Sequence, residues 1–185
     1  MLPAWATVAI ALGGSALTAL ASIGVAYLTK KQESVAEWRK LLVEAAHGFS
    51  TSLSRAIRAV REAIEASQAA TVEGLGTNEA VNAAVLLIDE ASDRLDHVLL
   101  LYGQDSKTGR PAKRAVDLLR KATAELRRFE ETAGGDLPPD DDLAKPLRSA
   151  SGACTTAENE HQQFNRMAWN ALPGRPYRFL GALRD

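Results

Sequence analysis

Residues 33–70 read "ESVAEWRKLLVEAAHGFSTSLSRAIRAVREAIEASQAA", and within them Trp38, Leu42, Ala45, Phe49, Leu53, Ala56, Val60 and Ile64 recur at steps of three and four. That step is the 3.6-residue period of a helix with one apolar stripe, sustained far beyond the length of any strand. Composition agrees. Alanine is abundant, Arg outnumbers Lys by 15 to 7, and aromatics make up only 5%. Ala, Leu, Arg and Glu lead the helix scale, whereas β-branched and aromatic residues favour strands. The reading is an all-α chain.

Upstream of this stretch, residues 1–29 carry no charged side chain, and "AIALGGSALTALASIGVAYLTKK" (residues 9–31) ends on Lys30 and Lys31. About 20 apolar residues suffice to cross the hydrocarbon of a bilayer. A secretory signal would open on basic residues and keep its apolar region to about 7–15 residues; "MLPAW" has no base and the run is longer. Trp5 and Tyr27 lie 22 residues apart, roughly 33 Å along a helix, which is close to the separation of the two aromatic belts of a membrane. Lys30, Lys31, Arg39 and Lys40 follow the run and no base precedes it, so the positive-inside rule puts the N terminus outside and the bulk in the cytoplasm. The expectation is a single-pass plasma-membrane protein with its anchor at 1–29. Ala11, Gly14, Thr18 and Ala21 form a small face on that helix, of the kind through which spans associate as dimers or oligomers.

Downstream, "VEGLGTN" breaks the first helix at Gly74 and Gly76. A second helix is predicted over 78–102, with Val81, Val85, Ile88, Ala91, Leu95, Val98 and Tyr102 on its stripe. The turn "GQDSKTGRP" follows, with Pro111 as the first residue of a third helix over 111–132. That helix buries Ala112, Ala115, Leu119, Ala122, Leu126 and Phe129. After "GGDLPPDDD", a fourth helix over 141–172 carries Leu143, Leu147, Ala150, Cys154, Ala157, His161, Phe164, Ala168 and Leu172. Short connections make neighbours antiparallel. The domain reading is an anchor at 1–29, an up-down antiparallel bundle of about four helices at 30–172, and an irregular tail at 173–185.

Charge is segregated. From Glu62 to Asp96 there are eight acids and one base, Arg94; from Lys107 to Arg128 there are eight bases and two acids, Asp117 and Glu125. Lys113–Arg114, Arg120–Lys121 and Arg127–Arg128 recur every seven residues, on the side opposite Leu119 and Leu126. Either the acidic second helix and basic third helix match charge along their shared edge, or these faces are simply solvated, or the basic face meets an acidic partner protein or anionic lipid headgroups. Nucleic acid is disfavoured by the net charge of −1 and by the lack of aromatics among the bases for stacking.

No catalytic, cofactor or metal site emerges. Glu44-x-x-His47 and Glu158-x-x-His161 imitate the carboxylate–histidine motif of di-metal bundles. Glu44 and His47, however, point away from their helix's apolar stripe while His161 lies on its own, so the two halves cannot share an ion. "GQDSKTGR" lacks the Gly before Lys107 that a phosphate loop requires. The lone Cys154 excludes an internal disulfide framework and fits inert burial.

The layout of an uncharged opening span, then "KKQESVAEWRKLLVEAAHGFS", then a late "QQFNRMAWNAL" containing Phe164 and Ala168, resembles the uncharacterised actinobacterial single-pass membrane proteins with a small cytoplasmic helical domain. The resemblance is architectural. It implies the same anchored-bundle plan and brings no activity or site residues.

Overall fold

The computed structural model describes residues 4–73, 78–133 and 140–172, with side chains over 29–69, 78–133 and 144–172. Within these bounds the chain is all-helical: α1 (Ala4–Glu73), α2 (Asn78–Tyr102), α3 (Gly109–Ala133) and α4 (Asp140–Asn170). No strand occurs among the described residues. None of the described helical stretches is long and apolar enough to cross a membrane. The span expected over 1–29, with its face of Ala11, Gly14, Thr18 and Ala21, falls outside the described side chains.

The chain divides into two compact units, Met1–Leu41 and Leu42–Asp185. In the first, α1 is the only described element, and Val35, Trp38 and Leu41 are exposed. This corrects the stripe predicted from Trp38. Periodicity identifies a face, but burial needs a neighbour to cover it, and the buried run begins at Leu42.

In the second unit all four helices contribute to one core: Phe49, Leu53 and Val60 from α1, Ile88 and Val98 from α2, Leu119 and Leu126 from α3, and Phe164 from α4. Between them sit fully buried alanines, including Ala56, Ala84, Ala115 and Ala157. Small residues at these positions let helix backbones approach closely, so the low aromatic content is compatible with a filled core. Phe49 and Phe164 meet edge to face, with ring centroids 4.9 Å apart at 83°.

The contacts fix the direction of each helix. Tyr102 Oη donates to the Leu42 carbonyl at 3.1 Å, and Ser52 Oγ to Glu90 at 3.1 Å, so α2 descends as α1 rises. Ser50 meets His161 and Ile57 meets Cys154, so α4 also runs against α1. Arg120 of α3 reaches Ser92 of α2, and Leu99 lies against Gly109, an antiparallel pair again. Arg114 faces Glu160, joining α3 to α4. Neighbours in sequence are therefore neighbours in space, as short connections require.

The α2–α3 turn is chemically specified. Gly103 adopts φ +87° and its N–H returns to the Leu99 carbonyl at 2.9 Å, a left-handed helix cap that glycine adopts without strain. Ser106 Oγ accepts the Gly109 N–H at 2.8 Å and caps α3. The helix therefore starts at Gly109 rather than Pro111, which sits in the first turn, where a missing N–H costs no helical bond.

Candidate functional site

Two features of the second unit carry polar chemistry, and they lie on different helices. The first is the basic face of α3. Lys113, Arg114, Arg120, Lys121, Arg127 and Arg128 are all exposed, with Leu119 and Leu126 buried behind them. Arg114 lies 3.6 Å from Glu160, Arg128 lies 3.3 Å from Glu125, and Arg120 donates to Ser92 Oγ at 2.8 Å. Among the described residues Lys113, Lys121 and Arg127 have no ion pair or hydrogen bond.

Edge matching between acidic α2 and basic α3 is not realised as ion pairs. Among the described residues no α2 carboxylate reaches an α3 base within 4 Å. Charge counts along two helices do not tell which flank each side chain occupies. Arg120, at the shared edge, meets a serine, while Asp89, Asp93 and Asp96 are exposed.

The second feature is a cavity of about 360 Å³ between the Leu42 end of α1, the last residue of α2 and the end of α4. Val43, Ala46, Ala168, Trp169 and Leu172 supply apolar wall; His47, Ser50, Tyr102 and Asn165 supply polar edge. Beside it, His161 Nε2 receives Ser50 Oγ at 2.8 Å and Asn165 Nδ2 at 3.0 Å. An amide nitrogen can only donate, so with the Asn165 amide in this orientation Nε2 is an acceptor and His161 is neutral. Burial agrees: it pushes the His161 pKa below the usual histidine value, against a smaller upward pull from Glu158.

A hydroxyl on a histidine is the first half of a nucleophile–base arrangement. The described residues do not supply the rest. Glu158, the acid beside His161, is engaged with Arg61 at 2.8 Å and does not hold Nδ1. Ser50 lies inside α1, where backbone amides are committed to helical hydrogen bonds and cannot form an oxyanion hole. The geometry suits a polar clasp joining α1 to α4 within an otherwise apolar seam.

Glu44 and His47 are exposed, as their position off the stripe predicts, and His161 is half-buried and already hydrogen-bonded. Among the described residues no group of three or more His, Cys, Asp or Glu is placed to hold a metal ion. The "GQDSKTGR" stretch forms the α2–α3 turn and the first two residues of α3. Cys154 is buried, with Sγ 3.8 Å from the Ile57 carbonyl; burial is the largest influence raising its thiol pKa, opposed by Arg61 and helped by Glu158.

Sequence reasoning missed the Ser50–His161–Asn165 clasp. The local signal was the four-residue step from His161 to Asn165, which places both on one helical face. Ser50 joins them only through tertiary packing. Comparison with protein-family models, curated proteins and solved structures finds no match to this chain.

Proposed function

We propose that the chain is a membrane-anchored helical interaction protein: one N-terminal span, with an up-down four-helix bundle on the cytoplasmic side of the plasma membrane. The observation that carries the reading is the uncharged run of residues 1–29, closed by Lys30 and Lys31 and followed by Arg39 and Lys40. Such a run is costly to expose to water and long enough to span hydrocarbon, and bases on one flank set its direction. The span fixes the address, and the bundle offers charged faces to a partner. The face of Lys113, Arg120, Lys121 and Arg127 fits an acidic protein or anionic headgroups, since three of these bases have no partner among the described residues. Alkaline carbonate extraction tests the anchor. An integral span stays in the membrane pellet, whereas release into the wash overturns the reading.

A second reading is favoured by the small face Ala11, Gly14, Thr18 and Ala21: an oligomeric membrane effector or transport-associated component assembled through its span. Close packing there depends on small side chains. Gly14→Leu should abolish crosslinked oligomers in membranes without preventing insertion, and oligomers that survive it count against this reading.

A further inference from the structure

We infer that the chain pairs with a second copy of itself through the face shared by α2 and α3. The inference names a second copy of the chain as the acidic partner of the α3 bases and does not need the membrane anchor, because every residue involved lies in the second unit.

On α2, Leu86, Asp89, Asp93, Asp96 and Leu100 follow one another at steps of three, four, three and four. They form a single line along the helix. All five are exposed, and Leu86 and Leu100, at 71% and 79%, are the most exposed large apolar side chains among the described residues. Asp89, Asp93 and Asp96 between them make no ion pair or hydrogen bond within the described residues. The line thus offers a partner three acids set between two exposed leucines.

On α3, Lys113, Arg120 and Arg127 stand seven residues apart on the flank toward α2, with Asp117 the one acid in their line. The Ser92–Arg120 hydrogen bond sets the level at which the two antiparallel helices meet. Counting outward from it, Asp93 lies within one residue of the level of Arg120, Leu86 of Arg127 and Leu100 of Lys113. On the same count Asp89 falls at Ala124 and Asp96 at Asp117, so the lines are complementary in net charge, three acids against three bases and one acid, with one acid level with an acid; within one chain they lie side by side, without an ion pair between them.

A second copy resolves this. A two-fold axis parallel to the helices lays α2 of one copy over α3 of the other, at the same levels, and does so twice. Asp93 then meets Arg120, Asp89 lies between the levels of Arg120 and Arg127, and Asp96, level with Asp117, lies between those of Arg120 and Lys113. Leu86 and Leu100 are covered by the aliphatic stems of Arg127 and Lys113. The other in-plane two-fold, perpendicular to the helices, would set acid on acid and base on base. The axis chosen by charge also keeps the bundle portions of both α1 helices running the same way, as two chains anchored in one membrane need.

The test uses the full-length chain in mild detergent, with mass measured by sedimentation and helicity by circular dichroism. Wild type should be a dimer that dissociates as salt is raised. Asp89→Lys with Asp93→Lys makes both lines basic, and Arg120→Glu with Arg127→Glu makes both acidic, so each variant should be a helical monomer. A 1:1 mixture of the two should restore a dimer of mixed composition. A monomeric wild type, a dimer that survives either reversal, or a mixture that stays monomeric overturns the inference. So does a dimer lost on Gly14→Leu but indifferent to the reversals, which would place assembly in the span.

Discussion

Ser50 Oγ on α1 and His161 Nε2 on α4 lie 2.8 Å apart, and Asn165 Nδ2 meets the same ring nitrogen at 3.0 Å. The arrangement holds only for a neutral imidazole, and burial lowers the His161 pKa accordingly. With the folded value below the unfolded one, of about 6.5, the unfolded chain binds the proton more readily. Stability from this group is complete above the unfolded value and falls as pH drops through it toward the folded value. Urea midpoints of wild type and His161→Gln should converge as pH falls from about 7.5 to 5.5, with wild type losing more. Parallel curves would show that the ring titrates alike in both states.

Phe49 and Phe164 are fully buried against each other. Phe164→Ala removes the ring contact and leaves a cavity between α1 and α4, at a cost of about 3–5 kcal/mol. Thermal unfolding should show a midpoint lower by roughly 10 °C. A shift of one or two degrees would mean that the seam collapses around the loss.

Gly109 starts α3 with almost no room. A Cβ there would overlap the Gly103 carbonyl oxygen and lie 3.2 Å from a Leu99 methyl. The nearest obstacle is backbone, so Gly109→Ala must shift the turn, at a cost of about 1–3 kcal/mol. A Cβ added to Gly152 on α4, by contrast, would meet nothing within 4 Å, and Gly152→Ala should stabilise by a few tenths up to about 1 kcal/mol through helix propensity. Denaturant melts of the pair check this, and equal effects of the same sign would contradict it.

Cys154 is buried and its thiol pKa is raised, so little thiolate exists near neutral pH and access is closed. A maleimide should label the native chain far more slowly than the urea-unfolded chain, by at least about 100-fold if global opening is required. Rapid native labelling would mean that α4 opens locally from α1.

Much of this fold is legible in the amino-acid sequence. Helix α2 spans the predicted 78–102, and Gly103, with its left-handed backbone, marks its end. The stripes of α3 and α4 are legible because each faces one core at a constant period. What fails to show are relations between helices. Trp38 continues the α1 stripe but lies beyond the run that neighbours cover. Ser50 and His161 are 111 residues apart, and only packing brings them together. Segregated charge on α2 and α3 suggests ion pairs across their edge, whereas Asp89, Asp93 and Asp96 are exposed and Arg120 finds Ser92. The cap at Ser106 is hidden because Pro111 offers a more conspicuous start.

The anchored-bundle reading is tested most directly by protease accessibility on carbonate-washed membranes. It predicts that the chain stays with the washed membrane, that intact cells protect the bundle from added protease, and that inside-out vesicles expose it to complete digestion. A chain released by carbonate, or a bundle digested from the outside of intact cells, would contradict it.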